Sequence, residues 1–210
     1  MRSNPSYLVG AVLAVSIVFL GGCLGKGTQE PTDFYLLQPL NSSIERQVAT
    51  AEEGPVLAVG PVRVREYLNR PQIVTRTSTN EIKIHDFHYW GEPLNSNFKA
   101  ILAQNLSVLL STDRIFLFPY TNKRELPLEY QVSVDVIRFD GEPGVEANLL
   151  AQYYILEFKE NEKKQIVTKQ PSLSKPLTDK SFETLVTAMS ELVADLSRQI
   201  AKEIKAASAR

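Results

Sequence analysis

Three sets of side chains in this sequence could bond, coordinate or move a proton. The first is a single thiol, Cys23. The second is a pair of imidazoles, His85 and His88, with Asp86 between them. The third is a scatter of carboxylates, of which Glu66, Asp86 and Glu92 fall in one stretch. The imidazoles invite a metal reading. On a strand, residues three apart face opposite sides, so His85 and His88 are not expected to converge on one ion. A lone cysteine can neither close an internal disulfide nor build a thiolate cage. An acid–base pair would need Glu66 set against Glu92 or Asp86, and no spacing rule brings them together. There is no G-x-S-x-G elbow, no Walker A loop and no dinucleotide-binding G-x-G-x-x-G. The expectation is a chain with no catalytic residue, no metal ligand and no cofactor. A net charge of −1 over 210 residues gives no field to hold a phosphate backbone, so nucleic acid is not an expected partner.

Cys23 is informative through its position. Arg2 provides a positive start, and Leu8 to Leu20 is an uncharged apolar run of about 13 residues. As a helix that run spans roughly 20 Å, short of the roughly 30 Å hydrocarbon core. It suits a cleaved signal better than a permanent span. Leu20-Gly21-Gly22-Cys23 follows at once. This resembles the bacterial lipobox, whose small residues admit the peptidase that cuts before the cysteine. The resemblance implies a mature chain beginning at Cys23, with a thioether-linked diacylglycerol and an amide-linked acyl chain. One acyl chain alone binds a membrane only reversibly, and further chains make desorption slow. No Asp follows the cysteine, which in such lipoproteins points to the outer membrane over inner-membrane retention. Residues 1–22 are thus expected to be signal, 23–32 a lipidated flexible tether, and 33–210 one domain.

Several elements must build that domain. Asp33 to Leu40 reads as a first strand, and 41–54 as a loop or short helix. Pro55 to Val64 is a buried strand with a bulge or edge exit at Gly60-Pro61. Gln72 to Thr77 and Glu81 to His88 form a hairpin. A helix begins near Glu92-Pro93-Leu94, capped by Asn95 or Ser96, with Phe98, Ile101, Leu102, Leu106, Leu109 and Leu110 on its core stripe. Asn105 falls in that stripe and needs a partner if buried. Ile115 to Phe118 is a short strand. Glu129 to Phe139 alternates cleanly, Asp140 to Gly144 turns, and Leu149 to Phe158 returns with two largely apolar faces. Lys164 to Lys169 completes a meander, and Pro171 to Lys180 is a loop. From Ser181 a long amphipathic helix runs to the end, for packing on the sheet, a coiled coil or a membrane surface. The fold class expected is α+β, with a mixed, mostly antiparallel sheet and two main amphipathic helices packed on it.

The long strand leaves a question. One face carries Leu149, Ala151, Tyr153 and Ile155; the other carries Leu150, Tyr154, Leu156 and Phe158, with Gln152 the polar exception. Either a helix covers each face, or the second face is a contact surface for another subunit or for lipid. Trp90 either covers the end of the sheet or contacts a partner.

The stretch Leu57 to Leu94 resembles the ABC-type transport auxiliary lipoproteins, the PqiC/YmbA family. The resemblance rests on Phe34-Tyr35-Leu36-Leu37, Val59-Gly60-Pro61-Val62, Tyr67-Leu68-x-Arg70-Pro71-Gln72-Ile73-Val74, Trp90-x-Glu92-Pro93-Leu94 and Asn105-Leu106-x-x-Leu109-Leu110. It implies a non-enzymatic partner in lipid traffic across the periplasm. The partners implied are an MCE-domain periplasmic protein of PqiB type, an inner-membrane transporter component reached through it, and further copies forming a homo-oligomeric ring. Of its functional residues only Cys23 carries over. Two other classes remain open: an assembly lipoprotein for an outer-membrane barrel, and an envelope hydrolase.

Overall fold

The computed structural model describes residues 31–40, 54–119, 127–159 and 162–210. The lipobox, Cys23 and the stretch 41–53 lie outside them. From Thr32 onward the chain forms one compact α+β unit. Its elements in order are β1 (Asp33–Tyr35), β2 (Leu57–Val64), β3 (Gln72–Arg76), β4 (Ile82–Trp90), α1 (Leu94–Leu110), β5 (Ile115–Leu117), β6 (Tyr130–Glu142), β7 (Glu146–Lys159), β8 (Glu162–Lys169), β9 (Ser172–Pro176) and α2 (Phe182–Ser208). They make a six-stranded sheet, β5-β2-β6-β7-β8 with β9 also on β7, and a three-stranded sheet, β1-β4-β3.

The apolar run of β2 sits between β5 and β6 and is parallel to both. Leu57, Ala58 and Val59 are fully buried there, as expected of a strand covered on both sides. The expected irregularity appears at Gly60-Pro61, where the register with β6 slips by one residue between Val59 and Val62. Gly60 has φ +117, a region that only glycine enters at low cost. β6 and β7 form a long antiparallel ribbon. Val132, Val134 and Val136 face Ile155, Tyr153 and Ala151 on the core side. Ile137 is then an extra residue, since Val136 pairs with Ala151 and Arg138 with Leu150. This bulge swaps the parity, so Phe139 enters the core and Asp140 leaves it.

Both helices pack on the core side of this ribbon. In α2, Leu185, Met189, Leu192, Val193, Leu196, Ile200 and Ile204 are at most 1% exposed, so packing on the sheet is the role the stripe serves. Ser181 caps the helix by accepting the Thr184 amide at 3.1 Å, as its sequence position predicts. α1 contributes Phe98, Leu102 and Leu106, all fully buried.

Four expectations change. The first strand stops at Tyr35, because the backbone beyond it bonds to helix side chains: Leu37 N–H to Asn97 Oδ1 at 2.8 Å, Gln38 N–H to Ser190 Oγ at 3.0 Å, and Leu40 N–H to Asn105 Oδ1 at 2.8 Å. The cap of α1 is Pro93, with no side-chain bond, not Asn95 or Ser96. The turn expected from Asp140 is strand until Glu142. Part of the loop expected over 171–180 is β9, which pairs with the first half of β7 while β8 pairs with the second.

Candidate functional site

The ribbon β6–β7 has a second face. Leu150, Gln152, Tyr154, Leu156 and Phe158 on β7 alternate with the buried set and are all half-buried. Ser133 and Asp135 continue this face on β6, and Arg63 of β2 bonds Asp135 at 3.1 Å. The helices are spent on the other side, where their apolar stripes and Val132, Val134, Tyr153 and Ile155 share one core. Neither helix therefore covers Leu150, Tyr154, Leu156 and Phe158. The face is amphipathic, not greasy: Lys163 stands over the Phe158 ring at 5.8 Å, and Gln152 and Thr168 interrupt the apolar row.

One end of this face is closed by a charge. Asp140 is fully buried and accepts bonds from Arg138 Nε at 2.7 Å, Arg76 Nε at 3.2 Å and Tyr67 Oη at 3.3 Å. A carboxylate without such partners could not stay charged inside the protein. The cluster ties β3 of the small sheet to β6 of the large one. Burial, and then the nearby carboxylate, push the Tyr67 hydroxyl above its ordinary pKa. Sequence reading missed Asp140, although the alternation carries a signal: continuing the phase of Val132, Val134 and Val136 would bury Arg138 and expose Phe139, which marks the bulge.

Where the small sheet meets α2, His88 stacks on Phe182 at 3.7 Å between ring centroids, and His85 meets the same ring edge-on at 4.7 Å. The two imidazoles are 6.1 Å apart. The expectation that they face opposite sides is therefore corrected. β4 carries extra residues between the Gln72–Tyr89 and Val74–Ile84 pairs, and this bulge returns both rings to one side. His88 Nδ1 bonds Tyr35 Oη at 3.0 Å and His85 Nε2 bonds Thr75 Oγ1 at 2.8 Å. Thr75 is 1% exposed. Burial chiefly, then positive Lys83 and neighbouring His88, lower the His85 pKa, with Asp86 acting against them. Among the described residues, no three His, Cys, Asp or Glu side chains are grouped to hold a metal ion.

Trp90 is 6% exposed, its backbone N–H bonds Pro71 O at 2.7 Å, and its ring belongs to the core. Its burial fits the reading in which it covers the end of the sheet. Asn105, by contrast, finds the partners its position demanded, the Leu40 amide and Ser197 Oγ. Asn97 does similar work and was not singled out, since an Asn in a first helical turn ordinarily reads as a solvated or capping residue.

A sequence model described as the ABC-type transport auxiliary lipoprotein component matches residues 35–201. The chain belongs to this family. The family is that of auxiliary lipoprotein components of ABC-type transport. No curated protein matches the chain. Among solved structures, an uncharacterized protein is similar with TM-score 0.63 and 20% identity, covering 83% of this chain and 99% of that one. A protein from Xanthomonas campestris is similar with TM-score 0.58 and 12% identity, covering 80% and 92% respectively. At such identities the likeness is one of fold. Among the described residues, no helix of this family member is long and apolar enough to cross a membrane.

Proposed function

We propose that this chain is a non-catalytic subunit of an MCE-type lipid transport system, anchored in the outer membrane through acylated Cys23 and docking the end of a periplasmic tunnel. The family match over residues 35–201 carries the reading. The half-buried face with Leu150, Tyr154, Leu156 and Phe158 supplies a surface for it. Such a mix of aromatic, aliphatic and polar side chains suits contact with another protein, either a further copy closing a ring or a PqiB-like tunnel. The anchor confines the domain to two dimensions and so raises its effective concentration at the membrane. A ring gives acyl chains a path out of water. Energy for transfer comes from the inner-membrane transporter.

The test is a photocrosslinking residue at Tyr154 and, separately, at Leu156, in cells that make the full chain. The reading expects adducts with an MCE-domain protein or with a second copy. Adducts to an outer-membrane barrel protein instead would favour an assembly lipoprotein and contradict it.

A further inference from the structure

The three-stranded sheet exposes the β1–β4 part of one side, while on β3 the same side is covered, with Val74 3% exposed and Arg76 bonded to Asp140. Gln72 and Val74, alternate residues of β3, pair with Tyr89 and Ile84, and Phe34 of β1 pairs with Tyr89. Register thus places Phe34, Tyr89, Ile84 and, opposite Arg76, Ile82 on one side. The Phe34 and Tyr89 rings lie 5.8 Å apart. Phe34 is 67% exposed, Leu36 46%, Phe87 41%, Ile84 39% and Ile82 37%. Leu36 closes over Gly91, where an added Cβ would come within 3.2 Å of it. Among the described residues, the other large exposed apolar ones, Leu117 and Val145, sit far along the chain in β5 and the β6–β7 turn. Five of the seven among the described residues are therefore gathered on β1, the residue after it, and β4. An apolar cluster of this kind on a folded domain marks a contact surface.

Chain position says what covers it. Phe34 is the second residue of the first strand and follows Cys23 by about 11 residues, which span at most about 40 Å. Whatever membrane holds Cys23 is thus within reach of this face. Its composition of Phe, Tyr and Ile suits the boundary of a bilayer, where rings and aliphatic groups leave water while polar atoms keep it. We propose that this face, centred on Phe34, Leu36, Ile84 and Phe87, is a seat that rests on the lipid surface to which the chain is tethered. The proposal rests on acylation of Cys23. The seat orients the domain, so that the β6–β7 face is held in a fixed direction and not in a random one. The anchor supplies retention, so the seat needs only shallow insertion.

The test replaces Phe34 and Phe87 singly with p-benzoylphenylalanine in the full chain, with the same residue at Leu117 and Val145 for comparison. Cells are irradiated, membranes separated, and adducts identified by mass. Phospholipid adducts several-fold more abundant at 34 and 87 than at 117 and 145 are expected. A chain found in the membrane fraction whose lipid adducts at 34 and 87 do not exceed those at 117 and 145 would overturn the seat alone. So would adducts at 34 and 87 that are mainly protein. A soluble chain with an unmodified Cys23 would overturn the anchor and the seat with it.

Discussion

Asp140 is a charge that the fold has to keep paired. Both its oxygens are out of water, and two guanidinium groups and a phenol bond to them. Removing one member of a buried pair leaves the others uncompensated, which costs about 3–5 kcal/mol where the partners are equally buried. Here Arg76 and Arg138 keep side-chain exposures of 21% and 36%, so both can recover some water. Asp140→Asn is therefore expected to lose about 2 kcal/mol, below that range. Urea unfolding measures it, and an unchanged midpoint would show that the cluster holds nothing together. Little of this was legible beforehand. The residues Asp140-Gly141-Glu142-Pro143-Gly144 have turn composition, which hides that the strand continues through Asp140 to Glu142. Asn105 was legible, because a polar residue in a strict helical stripe has to find partners, and it bonds both Leu40 and Ser197.

Elements were read from periodicity, and periodicity fails where a strand is irregular. α2 was plain because its apolar stripe is unbroken over its whole length. β9 was not, since Pro171 and Pro176 bound a short Ser/Lys-rich stretch whose pairing comes only from the spare half of β7. β4 was recognised as a strand, but its bulge inverted the expected placement of His85 and His88. That bulge has a consequence for acid stability. Folding lowers the pKa of His85, so the imidazole binds its proton more weakly in the folded chain than in the unfolded one, where 6.5 is ordinary. The unfolded state then takes up the proton first. The contribution is complete above about pH 6.5 and is lost as pH falls from there towards the lowered folded value. Asp33, Asp86 and Glu183 are the acidic groups around this cluster and Lys83 the basic one. The melting temperature is expected to fall as pH drops below about 6.5, and to fall less in His85→Gln. Identical slopes for the two proteins would remove His85 as the cause.

At the scale of the molecule, the described body is one domain with two differently exposed sheet faces, which the proposal joins to an acyl anchor at Cys23. The start of the body is clamped at once: the amides of Leu37, Gln38 and Leu40 are each held by a side chain of α1 or α2. The first described residues are thereby fixed to both helices. The α+β class and the pairing of β6 with β7 could be read in advance. The division into two sheets could not, because β2 pairs in parallel with strands on either side of it, and such pairing depends on contacts distant in sequence. The central claim is that this body works at a membrane as a tethered docking subunit. The most direct measurement is fractionation of cells making the wild-type chain or Cys23→Ala, with mass analysis of the mature amino terminus and of co-purifying proteins. The account predicts an acylated Cys23 in the outer-membrane fraction together with an MCE-domain protein, and a Cys23→Ala chain that leaves the membrane. A wild-type chain recovered free in solution with its thiol unmodified would contradict it.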